Sequence, residues 1–355
     1  MTVNVRPAVA GDRPAWDTFL AARPEADVLQ SWAWGEAMRL TGQSPVRVLA
    51  LDDRGSVVGI AQVLVRRTSL GRSVLYAPHG PVWIRDAPDA DRTLGTLLGS
   101  LRDAGRAARG VVVKVDPAAT RVGADDAAEV AGVLAMAGLR TARHDLQART
   151  TLLVDLGGGT DALVERWTPD ARNLARRSAR EGVAVEIHRS PDPASIRSAH
   201  EIFRATGRRS GFRTHEAAVL ERLAEGLSAA AGWYLAIARL EGRPLGAMVV
   251  ARTGDRAAYL YGGSLRDDAH RHANAGYGVM AAMMTALSAD GVRWLDMWGV
   301  HDPRDPEADA SWLGFSAFKR RFGGREVRHP GTFDLVVSPT WYALRELRER
   351  IRVRR

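Results

Sequence analysis

Val57-Val58-Gly59-Ile60-Ala61-Gln62-Val63 and Pro244-Leu245-Gly246-Ala247-Met248-Val249-Val250 read as two copies of one strand in this 355-residue chain. Each has glycine in third place, follows a turn, and leads to a strand that carries a tyrosine, Tyr76 in the first copy and Tyr261 in the second. A glycine-punctuated hairpin that recurs once at long spacing predicts a duplicated domain rather than a solenoid. Helical spacing in Trp32–Thr41 and Ala90–Gly110 alternates with strand patterns at Pro45–Leu51, Val74–Ala77 and Val111–Val115, so the first copy reads as mixed α/β. In the second half, a strand at Leu146–Leu156, a break at Gly157–Gly159 and a helical stretch at Ala162–Gly182 place the domain boundary near Arg149. The expected domains are residues 1–148 and 149–355. No Pro-rich linker separates them, so they are expected to pack together with the ligand groove between them.

Composition narrows the function. The formal charge of +9 and pI near 10.6 favour an anionic partner. Cysteine is absent, which removes thiolate nucleophiles, disulfides and Cys-containing zinc sites. His270 and His272 form a pair with no convincing carboxylate set, so no metal is expected. The N-terminus lacks an apolar signal-peptide core and no later run is long enough to span a bilayer, which predicts a cytoplasmic protein.

Only Lys114 and Lys319 are lysines among the 50 Lys+Arg positions. In so arginine-biased a chain the two are candidates for work that needs a compact ammonium rather than a planar guanidinium. Asp116 follows a run of valines two residues after Lys114, so both side chains are expected on one strand face, with the carboxylate able to hold or deprotonate an amine or simply to close an Asp-Pro turn. Tyr259 and Tyr261 are likewise expected to share a face and orient a ligand, or to be ordinary half-buried strand residues. Thr168 as N-cap and Pro169 in first position start a helix on which Arg172, Arg176 and Arg180 line one side, suited to an RNA backbone or to solvent. The C-terminal Trp341–Arg355 is basic and amphipathic, which suits tRNA or the anionic inner leaflet of a membrane.

Leu295-Asp296-Met297-Trp298-Gly299-Val300 and Gly314-Phe315-Ser316-Ala317-Phe318-Lys319-Arg320-Arg321-Phe322-Gly323-Gly324 carry a family resemblance. Gln30-Ser31-Trp32, Tyr76-Ala77-Pro78-His79-Gly80-Pro81, Lys114-Val115-Asp116-Pro117, Arg172-Asn173-Leu174 and Tyr259-Leu260-Tyr261-Gly262 complete it in order along nearly the whole chain. It resembles the Fem peptidyltransferases of peptidoglycan bridge synthesis. The resemblance implies two GNAT-like domains, an aminoacyl-tRNA co-substrate with no other cofactor, and an acceptor amine on a small or lipid-linked peptide. It implies that Lys319 stabilises the oxyanion of aminoacyl transfer, that Asp116 serves the acceptor, and that Arg209 binds phosphate; read from the residues alone, Lys319 with Arg320 and Arg321 also fits a solvated basic turn, and Phe318 either stacks on the donor or is a plain core phenylalanine. Where relatives place a phosphate-binding lysine, this chain has Met38 with Arg39 beside it, so a natural-product acceptor is a second expectation. Two other readings stand beside it: a CoA-dependent N-acyltransferase using Asn274–Gly278 as its pyrophosphate loop, and a noncatalytic RNA-binding module.

Overall fold

The computed structural model describes residues 2–119, 126–211, 214–265, 270–305 and 309–353. The chain runs through β1 (Asn4–Pro7), α1 (Arg13–Ala21), α2 (Trp32–Met38), β2 (Ser44–Leu51), β3 (Val57–Arg67), β4 (Ser73–Ala77), β5 (Val82–Trp83), α3 (Ala90–Ala107), β6 (Gly110–Val115), α4 (Asp126–Met136) and β7 (Arg140–Thr141). It continues through β8 (Thr150–Asp155), α5 (Gly159–Glu165), α6 (Pro169–Arg180), β9 (Ala184–His188), α7 (Pro193–Ser210), α8 (Ala217–Ser228), β10 (Trp233–Leu240), β11 (Arg243–Thr253), β12 (Arg256–Ser264), α9 (Ala275–Ala289), β13 (Trp294–Gly299), α10 (Leu313–Arg320) and β14 (Arg325–Arg328). β15 (Phe333–Val336) and α11 (Pro339–Val353) close it.

Among the described residues the strands form two sheets. The first has the order β1-β2-β3-β4-β6-β15-β7 with β5 beside β3, and the second the order β9-β10-β11-β12-β13-β8-β14. The orders correspond position for position. Each contains one parallel pair, β4 with β6 and β12 with β13, flanked by antiparallel neighbours. The two glycine-bearing copies are β3 and β11, in equivalent places, and the tyrosines Tyr76 and Tyr261 lie on the equivalent strands β4 and β12. The repeat is therefore a repeat of structure.

The chain divides into two compact units, one of Met1–Arg149 with Arg328–Arg355 and one of Thr150–Val327. This differs from the expected 149–355 second domain. The reason is pairing: β15 bonds to β6 and β7, so the last strand and helix complete the first sheet, whereas β8 bonds to β13 in the second. In the first sheet the position next to the parallel pair is thus filled by a strand from far along the chain, and in the second by the first strand of its own unit.

In the first unit, Leu94, Leu97, Leu98 and Leu101 of α3 recur at helical spacing and pack on Leu75, Val113 and Val115. The opposite sheet face is closed in part by α11, whose Tyr342 rests with Val74 and Val112. In the second unit, α9 buries Met280, Met283 and Met284 against Met248, Val250 and Leu295, and unbranched thioethers fill the irregular space between helix and sheet.

Candidate active site

The second unit's parallel pair opens like a fork. β12 and β13 are in register only from Arg256 and Trp294 to Ala258 and Asp296. Beyond that point β12 stays with β11 as far as Ser264 and β13 stays with β8 as far as Gly299. The first unit's parallel pair has no such opening, because β4 and β6 remain paired to their ends at Ala77 and Val115.

α10 places Lys319 at that fork. Phe318 and Phe322, four residues apart, turn inward onto Tyr277 and Trp167, with ring centroids 5.0 Å apart for Phe318–Tyr277 and 5.2 Å for Phe322–Trp167. Gly323 and Gly324 then run so close to Arg166 and Leu153 that an added Cβ would lie 2.8 and 2.9 Å from their carbonyl oxygens, which pins the end of the helix. The other side of α10 presents Phe315, Ser316 and Lys319. The Lys319 Nζ donates to the Gly299 carbonyl at 2.8 Å and stands 5.4 Å from the Tyr259 ring and 4.8 Å from the Phe315 ring. It thus touches both prongs, Gly299 at the end of β13 and Tyr259 just past the last pair on β12. Burial lowers its pKa from 10.5 to about 7, with the Asp296 carboxylate pulling the other way. Asp296 is itself engaged, accepting from the Thr151 hydroxyl and from the Trp298 N–H, and Trp298 adopts a left-handed φ of 63°.

Phe318 is thus an aromatic core contact of α10, and Phe315 is the phenylalanine beside the ammonium. Tyr259 and Tyr261 do not share a face, contrary to expectation. Val249 is paired with Tyr261 and Val250 with Tyr259, so Leu260 is an extra residue that bulges β12 and breaks the alternation. Tyr259 points to the α9 side and towards Lys319, and its hydroxyl has no hydrogen-bond partner among the described residues. An added Cβ on Gly262 would lie 1.8 Å from that hydroxyl, so glycine is what leaves it room. Tyr261 points to the α7 side, beside Phe203 at 5.9 Å and in contact with His215 Nδ1. Arg209 is exposed on the last turn of α7 and donates to the Ser264 carbonyl at 3.2 Å, at the same end of β12 as the opening.

α6 begins as expected, with the Thr168 Oγ1 accepting from the Ala171 N–H and Pro169 in first position. Its Ala171, Ala175 and Ser178 face inward, while Arg176 and Arg180 are exposed and Arg172 half-buried. None of the three arginines has an acidic partner among the described residues.

In the first unit, Asp116 lies just past the carboxyl end of β6. Its Oδ2 accepts from the Tyr76 hydroxyl at 2.6 Å and its Oδ1 from the His79 N–H at 2.7 Å. Burial nevertheless raises its pKa to about 7, opposed by His79 and by the Tyr76 hydrogen bond. His79 has φ 48°, which aims its N–H at the carboxylate, and its Nδ1 is held by Asp27. Gln30 fixes the turn behind it, donating to the Pro78 carbonyl at 2.8 Å and the Gln62 carbonyl at 3.1 Å and accepting from the Gln62 N–H at 2.8 Å. Sequence reasoning singled out neither Asp27 nor His79. A lone histidine in Tyr76-Ala77-Pro78-His79-Gly80-Pro81, a turn built from two prolines and a glycine, was the available signal for one of them.

Lys114 is spoken for. Its Nζ forms a buried ion pair with Asp334 at 2.6 Å, directly across the β6–β15 ladder, and the Tyr342 hydroxyl donates to the other Asp334 oxygen at 2.9 Å. That corrects the expectation of a substrate-binding ammonium: the pair ties β15 and α11 to the sheet. Met38 is core, and Arg39 is exposed and paired at 2.9 Å with Glu36, which also receives Arg47 at 2.9 Å. Among the described residues no group of three or more His, Asp or Glu is arranged to hold a metal, and no helix is long and apolar enough to cross a membrane.

Two sheets of one strand order, each with a parallel pair, define a tandem protein of GNAT-like domains, and the acetyltransferase (GNAT) domain family matches residues 169–319. The solved structure of FemX superposes with a TM-score of 0.82 at 19% identity, covering 97% of this chain and 99% of that one. The lipid II:glycine glycyltransferase of Staphylococcus epidermidis is 21% identical over 93% of this chain and 92% of its own length. That of Staphylococcus aureus is 26% identical over 59% of this chain and 50% of its own length. The chain is thus similar to FemX in fold and to the lipid II:glycine glycyltransferases in sequence.

Proposed function

We propose that the protein is an aminoacyltransferase that moves an amino acid from the ester of an aminoacyl-tRNA to an amine on a peptidoglycan precursor. The observation that carries this reading is the buried Lys319 at the mouth of the β12–β13 opening. In the reaction the acceptor nitrogen bonds to the ester carbonyl carbon, the ester C–O bond breaks, and the ribose hydroxyl leaves. The nitrogen loses a proton and the ribose oxygen gains one, so the step is balanced.

Lys319 suits the carbonyl oxygen. An ammonium whose pKa has fallen to about 7 is poorly solvated by its buried surroundings, and an oxyanion forming beside it would hold its proton in place. The Tyr259 hydroxyl, with no hydrogen-bond partner among the described residues, suits donation to the same ligand. Asp116, with a pKa near 7, suits the opposite task of accepting the amine's proton at neutral pH. Arg209, Arg172, Arg176 and Arg180 supply positive charge for a tRNA backbone. Arg39 remains the nearest replacement for the phosphate-binding lysine of relatives, with Glu36 sharing its charge. An aminoacyl-tRNA donor puts the reaction in the cytosol, and the named relatives' lipid II substrate makes a lipid-linked peptide the first acceptor to try.

Incubation with labelled aminoacyl-tRNAs and either lipid-linked or nucleotide-linked muropeptide, followed by mass analysis of the acceptor, tests the reading. A mass gain of one aminoacyl residue supports it. Tight acetyl-CoA binding with acetyl transfer, and no tRNA binding at low salt, would replace it with a CoA-dependent reaction.

A further inference from the structure

α11 is amphipathic in the wrong sense for a helix whose only task is to cover a sheet. Trp341 and Tyr342 pack inward, yet Leu344, Leu347 and Ile351, spaced to share one stripe, are 46%, 55% and 50% exposed. Arg348 and Arg350 are exposed beside them. Of the two acidic residues on the helix, Glu349 is tied up by Arg345 at 2.9 Å and Glu346 is half-buried. The sequence then adds Arg352, Arg354 and Arg355.

A second apolar projection adjoins the first. Between β3 and β4 the chain turns through Leu70, which is 63% exposed and left-handed at φ 62°, a conformation leucine rarely adopts. Arg66 and Arg67 are exposed on one arm of this hairpin, and no acid interrupts Arg66–Arg72. The Arg72 guanidinium on the other arm stacks over the Trp341 ring at 4.4 Å, which joins the hairpin to the first turn of α11.

We propose that α11 and the Arg66–Arg72 hairpin form a docking surface for an anionic lipid bilayer, with Leu70, Leu344, Leu347 and Ile351 entering the head-group boundary and the surrounding arginines on lipid phosphates. Arginines alone would serve any polyanion. Exposed aliphatic side chains find no use on an RNA backbone, whereas apolar insertion ringed by cations is the pattern of interfacial helices. The surface extends the proposed reaction towards a membrane-borne acceptor, and its test requires no turnover.

The full chain is floated with vesicles of phosphatidylglycerol and phosphatidylcholine, or of phosphatidylcholine alone, at low and high salt. Binding is expected to the anionic vesicles and to fall with salt. The triple variant Leu344→Ser/Leu347→Ser/Ile351→Ser is expected to lose at least ~100-fold in partitioning, with unchanged Tm because the three side chains are already in solvent. Its transfer to a water-soluble acceptor should equal that of the wild type, which separates a failed docking surface from a failed enzyme. No vesicle binding, or equal binding by the triple variant, overturns the proposal, the latter leaving only a general polyanion surface. A wild-type dimer that the substitutions convert to monomer, without vesicle binding, would assign the stripe to a second copy instead.

Discussion

Replacing Lys319 with methionine should uncouple activity from stability. The side chain keeps its length and loses its charge. In the fold the ammonium has a pKa near 7, against an ordinary 10.5, because burial disfavours the charged form. The unfolded chain therefore binds a proton at pH values where the folded one does not, and charging Lys319 opposes folding. That penalty is nearly complete below pH 7, at roughly 4 kcal/mol, and shrinks to about 1 kcal/mol by about pH 9.5, near the unfolded pKa. Lys319→Met removes it, but leaves the Gly299 carbonyl without its donor at a cost of about 1–3 kcal/mol. Relative to wild type, the variant should be as stable or more stable at pH 6 and less stable at pH 9.5, a swing of roughly 3 kcal/mol. The sign follows from the depressed pKa of a base, and Asp116, titrating in both proteins, cancels in the difference. Chemical denaturation of both proteins across this range measures the swing. Single-turnover transfer should meanwhile fall by at least ~10²-fold, and Lys319→Arg, charged but of another shape, should not restore it. A stability difference that is flat with pH would refute the buried, weakened ammonium, and wild-type transfer by the methionine variant would refute its role.

Three further outcomes follow from the geometry. Tyr259→Phe should leave Tm unchanged, since the hydroxyl has no hydrogen-bond partner among the described residues, while kcat/KM for the aminoacyl donor drops by about tenfold; a lower Tm would mean the hydroxyl is structural. Because His79 lowers the Asp116 pKa, His79→Gln should shift the acid limb of the transfer rate, which begins near pH 7, to higher pH, and an unmoved limb would detach Asp116 from the rate. Lys114→Met should destabilise by about 3–5 kcal/mol by stranding the Asp334 carboxylate, as read by urea unfolding, with catalysis unaffected in whatever fraction stays folded.

What the sequence disclosed, and what it hid, divide by the range of the interactions. The matched copies at Val57–Val63 and Pro244–Val250 were legible because strand pattern and glycine position are local, and they mark equivalent strands. The Thr168–Pro169 helix start was legible for the same reason. Lys319 stood out only through the scarcity of lysine, and the same logic misread Lys114, whose partner Asp334 lies 220 residues away. Alternation placed Tyr259 and Tyr261 together, and a single bulged residue at Leu260 undid it. The Asp27–His79 contact joins residues 52 apart with no periodic pattern to connect them. The boundary near Arg149 is marked by a break in composition, but the return of Phe333–Val336 to the first sheet is decided by pairing with β6, which no local pattern records.

That returning strand also governs how the molecule comes into being. During synthesis the first sheet emerges early but lacks the strand between β6 and β7 until residues 333–336 leave the ribosome, so its closure waits until the whole of the second unit has been made. Until then the β6 edge has unpaired backbone groups that any stray strand can match, including β8, the first strand of the second unit. A gene cut at residue 149 would not yield two working halves: the front piece would lack its closing strand and the Lys114 counter-ion, and the back piece would carry a strand and helix with no sheet to join.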